Sequence, residues 1–220
     1  EIQYCDWSSD VCSSDLSGHM VGEQSLITLS PRERYVSRAG LKLASVASVL
    51  GVRFTDHIVL DVGSSTGGFT DYALKHGAKK VYAVDVGTDQ LHPDLRRDSR
   101  IELHEKTDIR DFVPDEAPDI VLIDVSFISL RQILPHLASI CKNTTLIVAM
   151  VKPQFEAARQ QLGNSGVIKN DTIRRQILRE FEAWSAKLFV TVGKADSAVA
   201  GARGNRERFY ALKVAKPTTR

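Results

Sequence analysis

Several apolar runs in this 220-residue chain stop on a residue that is costly to bury. "HIVLDVG" stops at Asp61, "KKVYAVDVG" at Asp85, "PDIVLIDVSF" at Asp124 and "TTLIVAMVKP" at Lys152, and the run "RIELHEKTDIR" carries Asp108. A charged group beside apolar neighbours is destabilising unless it has a partner or a task. Carboxylates so placed accept hydrogen bonds from hydroxyls and attract a cationic ligand. A lysine supplies positive charge or, once deprotonated, a proton acceptor. Two more charged candidates lie outside these runs, Lys42 in "SRAGLKL" and Glu207 in "GNRERF".

The stretch "DVGSSTGGF", Asp61 to Phe69, follows a strand-like run and opens a helical one, as a nucleotide-type loop does. A dinucleotide fingerprint needs glycines at Gly63, at position 65 and at Gly68. Position 65 is Ser65, and the middle glycine is the one that lets backbone approach a pyrophosphate. No GK[ST] follows, so this is not a Walker loop. S-adenosylmethionine has no phosphate, tolerates the serine, and carries a sulfonium that favours nearby carboxylates. Asp85, 22 residues beyond Gly63, is placed to accept from ribose hydroxyls, a role shared with NAD sites. Asp108 is placed to read an adenine. The expected cofactor set is Asp61, Gly63, Ser65, Thr66, Gly67, Gly68 and Phe69, with Asp85, Val86, Asp108 and Ile109 on the following strand exits.

The elements that must position these residues alternate. "YVSRAGLKLASVASVL" has helical spacing and ends at Gly51, a C-cap residue. Strands are expected at "HIVLDVG", "KKVYAVDVG", "RIELHEKTDIR", "PDIVLIDVSF" and "TTLIVAMVKP". Helices are expected at "GGFTDYALKHG", at "SLRQILPHLASIC" and from Asp171 to Leu188, with Asp171 or Thr172 as N-cap. "KLFVTVGK" and "ERFYALKVAK" read as a final antiparallel pair. Strands spaced by helices imply right-handed crossovers and a mostly parallel sheet. The expected class is α/β, a Rossmann-like, mostly parallel sheet with an antiparallel last strand. Ligands bind outside the carboxyl ends of such strands, where the charged residues above are found.

Apolar content of 43% and charged content of 25% suit one soluble globular domain. No apolar stretch approaches the roughly 18 residues of a membrane span. Residues 1–20 read as a non-native leader. Asp6 to Leu16 is what a common sequencing-adapter DNA gives when translated, and the first sixteen residues lack periodicity, Lys and Arg. Without Glu1, Asp6, Asp10 and Asp15 the acids fall from 27 to 23 against 29 bases, and the net charge is +6 rather than +2. That balance is compatible with a polyanionic partner. Cys5 and Cys12 leave with the leader, so Cys141 alone remains. This gives no disulfide framework, no thiolate metal site, and a reducing cytoplasm as the natural compartment. The six histidines show no ligand-like spacing, so no metal is expected.

Taken in order, "YVSRAGLKL", "DVGSSTGGFTD", "YAVDVGTDQLH", "IDVSFISL", "VKPQFE" and "GARGNRERF" resemble the hemolysin-A-type (TlyA) ribosomal RNA methyltransferases. These are similar to the FtsJ-like ribose 2′-O-methyltransferases, whose signature is a Lys–Asp–Lys–Glu tetrad. The resemblance runs from Tyr35 to about Lys213 and implies Lys42, Asp124, Lys152 and Glu207 as catalytic residues. It implies S-adenosylmethionine as cofactor and a ribose, that of cytidine, in ribosomal RNA or ribosomal subunits as target. A ribose 2′-hydroxyl is a poor nucleophile near neutral pH. It must be held in line with the methyl group and relieved of its proton. Lys152 is expected to take the proton or stabilise the alkoxide, with Asp124 steering it and balancing the sulfonium charge and Lys42 and Glu207 orienting the ribose and the first pair. Phe127 and Phe155 are either base-stacking platforms or core.

The family usually carries a small RNA-binding domain, of the kind named after ribosomal protein S4, ahead of the methyltransferase. Here residues 21–34 read as a linker left from it, 35–215 as the methyltransferase domain and 216–220 as a tail. Arg34, Arg38 and Arg53 are candidate phosphate contacts, with Arg32 beside them. Three other functions stay open at this point. One is an NAD-dependent oxidoreductase on the same fold, and a second is an RNA-binding module with a dead site. The third is membrane lysis, which the absence of a spanning or strongly amphipathic segment opposes.

Overall fold

The computed structural model describes residues 35–157, 167–168, 170–201 and 204–215. The chain opens with α1 (Arg38–Ala47), which buries Leu43, Val46 and Ala47 at helical spacing. Gly51 follows at φ +65°, a conformation glycine adopts without strain. Five strands then alternate with helices: β1 (Ile58–Val62), α2 (Gly68–Lys75), β2 (Lys80–Val84), α3 (Pro93–Arg96), β3 (Ile101–His104), β4 (Ile120–Ile123), α4 (Leu134–Ile140) and β5 (Leu146–Val151). The short α5 (Pro153–Glu156) and the long α6 (Asp171–Ser185) lead to β6 (Phe189–Asp196) and β7 (Arg208–Val214).

The seven strands form one sheet in the order β3-β2-β1-β4-β5-β7-β6. β1 to β5 pair parallel, and β7 lies antiparallel between β5 and β6. The central strands read as continuous apolar runs because both faces of the sheet are covered. Val59, Leu122 and Met150 turn to the face packed by α1 and α2, while Leu60, Ile123 and Ala149 turn to the face packed by α4 and α6. The connections leave β1 in opposite directions toward β2 and β4, which opens a crevice at the strand carboxyl ends.

Local chemistry corrects three expectations. α6 is capped by Asn170 rather than Asp171 or Thr172: its Oδ1 accepts from the Thr172 N–H at 2.8 Å and the Ile173 N–H at 3.3 Å. That helix stops at Ser185, not Leu188, because the Leu188 N–H turns back to the Ser185 carbonyl just before β6. The helical stretch after Asp124 splits into a 3-10 turn at Leu130–Gln132 and α4, whose first turn holds a proline. Proline lacks the N–H that would continue one helix through both. The leader, linker and tail assigned from sequence lie outside the described residues.

Candidate active site

The exits of β1, β2, β3 and β4 enclose a cleft of about 490 Å³. Among the residues expected to hold a cofactor, Gly63, Ser65, Asp85, Val86, Asp108 and Ile109 line it, and Asp124 closes one side. Gly63 sits at φ +80°, and a Cβ there would stand 2.6 Å from the Asp124 carbonyl oxygen. Only glycine lets the β1 and β4 exits approach so closely. Gly67 and Gly68 are tightly packed on the side away from the cleft lining. A side chain at Gly67 would strike Leu91 and Leu95, and one at Gly68 would strike Ser37 and Ala39 beside α1. Thr66 receives the His92 N–H on its carbonyl. Phe69 corrects the sequence reading: its side chain is buried in the core against Phe209, with ring centroids 6.1 Å apart, and does not face the cleft.

The carboxylates divide the work. Asp85 bridges two backbone turns, accepting from the Ser65 N–H at 2.8 Å and the Gly87 N–H at 2.7 Å. Asp108 is held by the Arg110 guanidinium and backbone N–H, which bring its carboxyl down to about 2. Asp61 is 1% exposed; one oxygen accepts from the Thr70 hydroxyl at 2.6 Å and the other is buried without a hydrogen-bond partner. Burial above all, with the charges of Asp124 and Asp85 adding to it, raises its pKa to about 7 against the Thr70 hydrogen bond. An orphaned carboxylate flanked by two more is a site for a positive group and repels an anionic pyrophosphate.

At the β4 and β5 exits Lys152 Nζ lies 2.6 Å from Asp124 Oδ1 and 2.9 Å from the Ser126 hydroxyl. Lys42, on α1, pairs with Glu207 at 2.8 Å. Both pairs are largely buried, with side chains 12% and 3% exposed in the second and 11% and 16% in the first. In the antiparallel ladder Val151 faces Arg208, so Lys152 and Glu207 occupy the next register position and the two pairs adjoin. The structure thus brings together the four residues implied as a tetrad.

Residues that sequence reading did not single out hold this arrangement. Asp196 takes Arg208 in a two-pronged ion pair at 2.7 and 2.8 Å, and Arg174 on α6 at 2.6 Å. Arg174 also donates to the Arg206 carbonyl at 3.1 Å, and the Glu207 carbonyl accepts from Ser197. Glu207 is therefore fixed from both sides of the chain. Glu156, the last residue of "VKPQFE", accepts from the Ser129 hydroxyl and the Leu130 N–H at 2.7 Å each, tying the β4 exit to the β5 exit. Gln90 and Ser126 line the cleft as well. Periodicity carries no signal for these, because each acts across elements distant in sequence.

The candidate phosphate contacts fare differently. Arg53 is exposed. Arg38 is half-buried and donates to the Ala200 carbonyl at 2.8 Å, fastening α1 to the β6–β7 connection. Arg34 lies outside the described residues. Among the described residues no His, Cys, Asp and Glu cluster could hold a metal, and no helix is long and apolar enough to cross a membrane.

A family model described as FtsJ-like methyltransferase matches residues 35–214. This chain belongs to the FtsJ-like methyltransferases. The Bacillus subtilis protein YqxC is 43% identical over 179 residues, a match that takes in 79% of this chain and 64% of YqxC. Hemolysin A of Brachyspira hyodysenteriae is 39% identical, over 86% of this chain and 81% of its own. The Campylobacter jejuni 23S rRNA (cytidine-2′-O)-methyltransferase TlyA is 39% identical, over 81% and 70%. A solved hemolysin-like structure from Streptococcus thermophilus superposes on this FtsJ-like chain with a TM-score of 0.81 at 42% identity, covering 86% of this chain and 70% of that one.

Proposed function

We propose that this methyltransferase moves the methyl group of S-adenosylmethionine to a ribose 2′-hydroxyl of ribosomal RNA, that of a cytidine, in the cytoplasm. The observation that carries the reading is the adjoining Lys152–Asp124 and Lys42–Glu207 pairs beside the cleft. The cleft residues fit the cofactor. Asp61, buried just behind the lining at the β1 exit, keeps an unpartnered carboxylate oxygen that attracts its ammonium or sulfonium charge, and Asp85 and Asp108 stand at the rim for ribose and adenine. The same crowding of carboxylates weighs against NAD, whose pyrophosphate they would repel.

The cofactor supplies a methyl group on a cationic sulfur. The chain's own residues must do the rest. Lys152 faces the incoming hydroxyl, takes its proton as the new O–C bond forms, or stabilises the developing alkoxide. Asp124 holds Lys152 from one side. Lys42 and Glu207 orient the ribose from the β7 side. Phe127 projects from the β4 exit with its side chain 92% exposed on a backbone at φ +63°, its ring 5.3 Å from that of Phe155. A large exposed ring on strained backbone at the mouth of a site serves to stack a base.

The test is transfer from labelled S-adenosylmethionine to isolated ribosomal subunits, followed by alkaline hydrolysis. A 2′-O-methyl group blocks cleavage at its own nucleotide, so label is expected in alkali-resistant dinucleotides. Lys152→Ala is expected to lower kcat by roughly 10²–10⁴-fold, the usual worth of a general acid or base. Label in mononucleotides would mean base methylation and would overturn the reading.

A further inference from the structure

Lys152 has two partners where Lys42 has one among its recorded contacts. Its Nζ lies 2.6 Å from Asp124 Oδ1 and 2.9 Å from Ser126 Oγ, whereas Lys42 Nζ meets Glu207. A lysine nitrogen has three positions besides its bond to carbon. Ser126 accepts a hydrogen bond at one of them, whereas Asp124 Oδ1 lies against Nζ as a charge contact without hydrogen-bond geometry. The Ser126 bond therefore sets how the amine is turned, and a remaining N–H or lone pair is what meets a substrate hydroxyl.

Ser126 lies two residues beyond Asp124 and lines the same cleft, and its residue is exposed, so its hydroxyl packs nothing in the core. The loop that carries it is anchored on both sides. The Asp124 N–H bonds to the Val62 carbonyl at 3.0 Å, and Ser129 and Leu130 are bound to the buried Glu156 carboxylate. The serine thus reaches Lys152 from a fixed platform.

We propose that Ser126 is a positioning residue whose hydrogen bond, with the Asp124 charge beside it, fixes how Lys152 Nζ is turned toward the reacting 2′-hydroxyl. This rests on Lys152 being the group that meets that hydroxyl. Removing the serine hydroxyl frees Nζ to turn about its own bond and misaligns the transfer without touching the cofactor's charged anchors.

The experiment compares Ser126→Ala and Ser126→Thr with wild type in the ribosomal-subunit assay, at saturating S-adenosylmethionine, alongside cofactor Kd by calorimetry. The alanine variant is expected to lose roughly 10- to 100-fold in kcat, the worth of one hydrogen bond to a charged group, with cofactor Kd unchanged. Threonine, which keeps the hydroxyl, is expected to restore kcat. In a Lys152→Ala background Ser126→Ala is expected to cost nothing more, because residues that act as a unit are not additive. Wild-type kcat in Ser126→Ala, an additive double variant, or a raised cofactor Kd with unchanged kcat would each overturn the proposal. Lys152→Ala retaining full transfer would instead sink the underlying reading. A readout free of turnover is the Nζ proton resonance of Lys152. It is expected to exchange slowly in wild type, to broaden in Ser126→Ala and to return in Ser126→Thr; an unaltered signal in Ser126→Ala counts against the proposal.

Discussion

Lys152 and Asp124 leave neighbouring parallel strands, 28 residues apart, whereas Lys42 and Glu207 join α1 to β7 across 165 residues. The first pair comes with the sheet. Once β4 and β5 pair, with Ile123 opposite Ala149, both exits point to one end and the side chains meet. The second pair has to be assembled. α1 is fastened to the β6–β7 connection by Arg38 on the Ala200 carbonyl and by the Ala198 N–H on the Ser45 hydroxyl. Gly201 leaves the room that the Glu207 carboxylate fills, and Arg174 and Asp196 hold the chain on either side of it. One half of the site is a consequence of fold topology; the other is a set of clasps that can be undone one at a time.

The largest expected effect tests that assembled half. Glu207→Leu leaves Lys42 charged in a nearly buried place and is expected to destabilise the protein by about 3–5 kcal/mol. Adding Lys42→Met is expected to recover most of that stability in urea melts while leaving methyl transfer at the level of Glu207→Leu. Recovery of transfer would make the pair structural only. The next effect belongs to the topological half. Gly63→Ala forces a side chain into φ +80° against the Asp124 carbonyl, costs on the order of 1–3 kcal/mol in strain alone, and pushes β4's exit from the cleft. Calorimetry is expected to show stability and cofactor affinity falling together.

Asp61 lies buried behind the cleft between the two halves. Asp61 titrates near 7, so cofactor Kd is expected to rise about tenfold per pH unit as pH falls below that value. The stability sign is the reverse. Folding raises this pKa, so the native protein holds a proton that the unfolded chain releases. That contribution is complete below about pH 4 and is lost as pH rises to about 7. Asp61→Asn is expected to flatten both dependences; a pH-independent Kd in the wild type would remove Asp61 from cofactor binding. The smallest effect is Arg38→Ala, about 1 kcal/mol of stability from one hydrogen bond. The salt dependence of RNA binding is expected to stay unchanged, whereas a slope lowered by about 1 would return Arg38 to phosphate contact.

Asp61, Asp85, Asp124 and Lys152 were legible in the sequence because apolar runs and glycines locate strand ends, and a charge at a strand end is conspicuous. Lys42 and Glu207 stood out only through resemblance, since on their own elements they look like ordinary surface charges. Phe69 was misplaced because a ring beside a glycine loop can turn either way, and only packing against Phe209 settles which. Ser126, Arg174 and Glu156 gave no sign, since serine, arginine and glutamate in irregular or helical segments are common and their spacing says nothing about distant partners.

By itself, then, the sequence determined the alternation of strands and helices, the parallel centre of the sheet and the cleft end at which chemistry must sit, because periodicity and strand ends are local properties of the chain. Tertiary structure alone decided that Asp61 keeps an unpartnered oxygen in the core, that Asp196 and Arg174 brace Glu207, and that Ser126 meets Lys152. Those are contacts between elements far apart in sequence, made only when burial of the two apolar faces of the sheet brings the strand ends together.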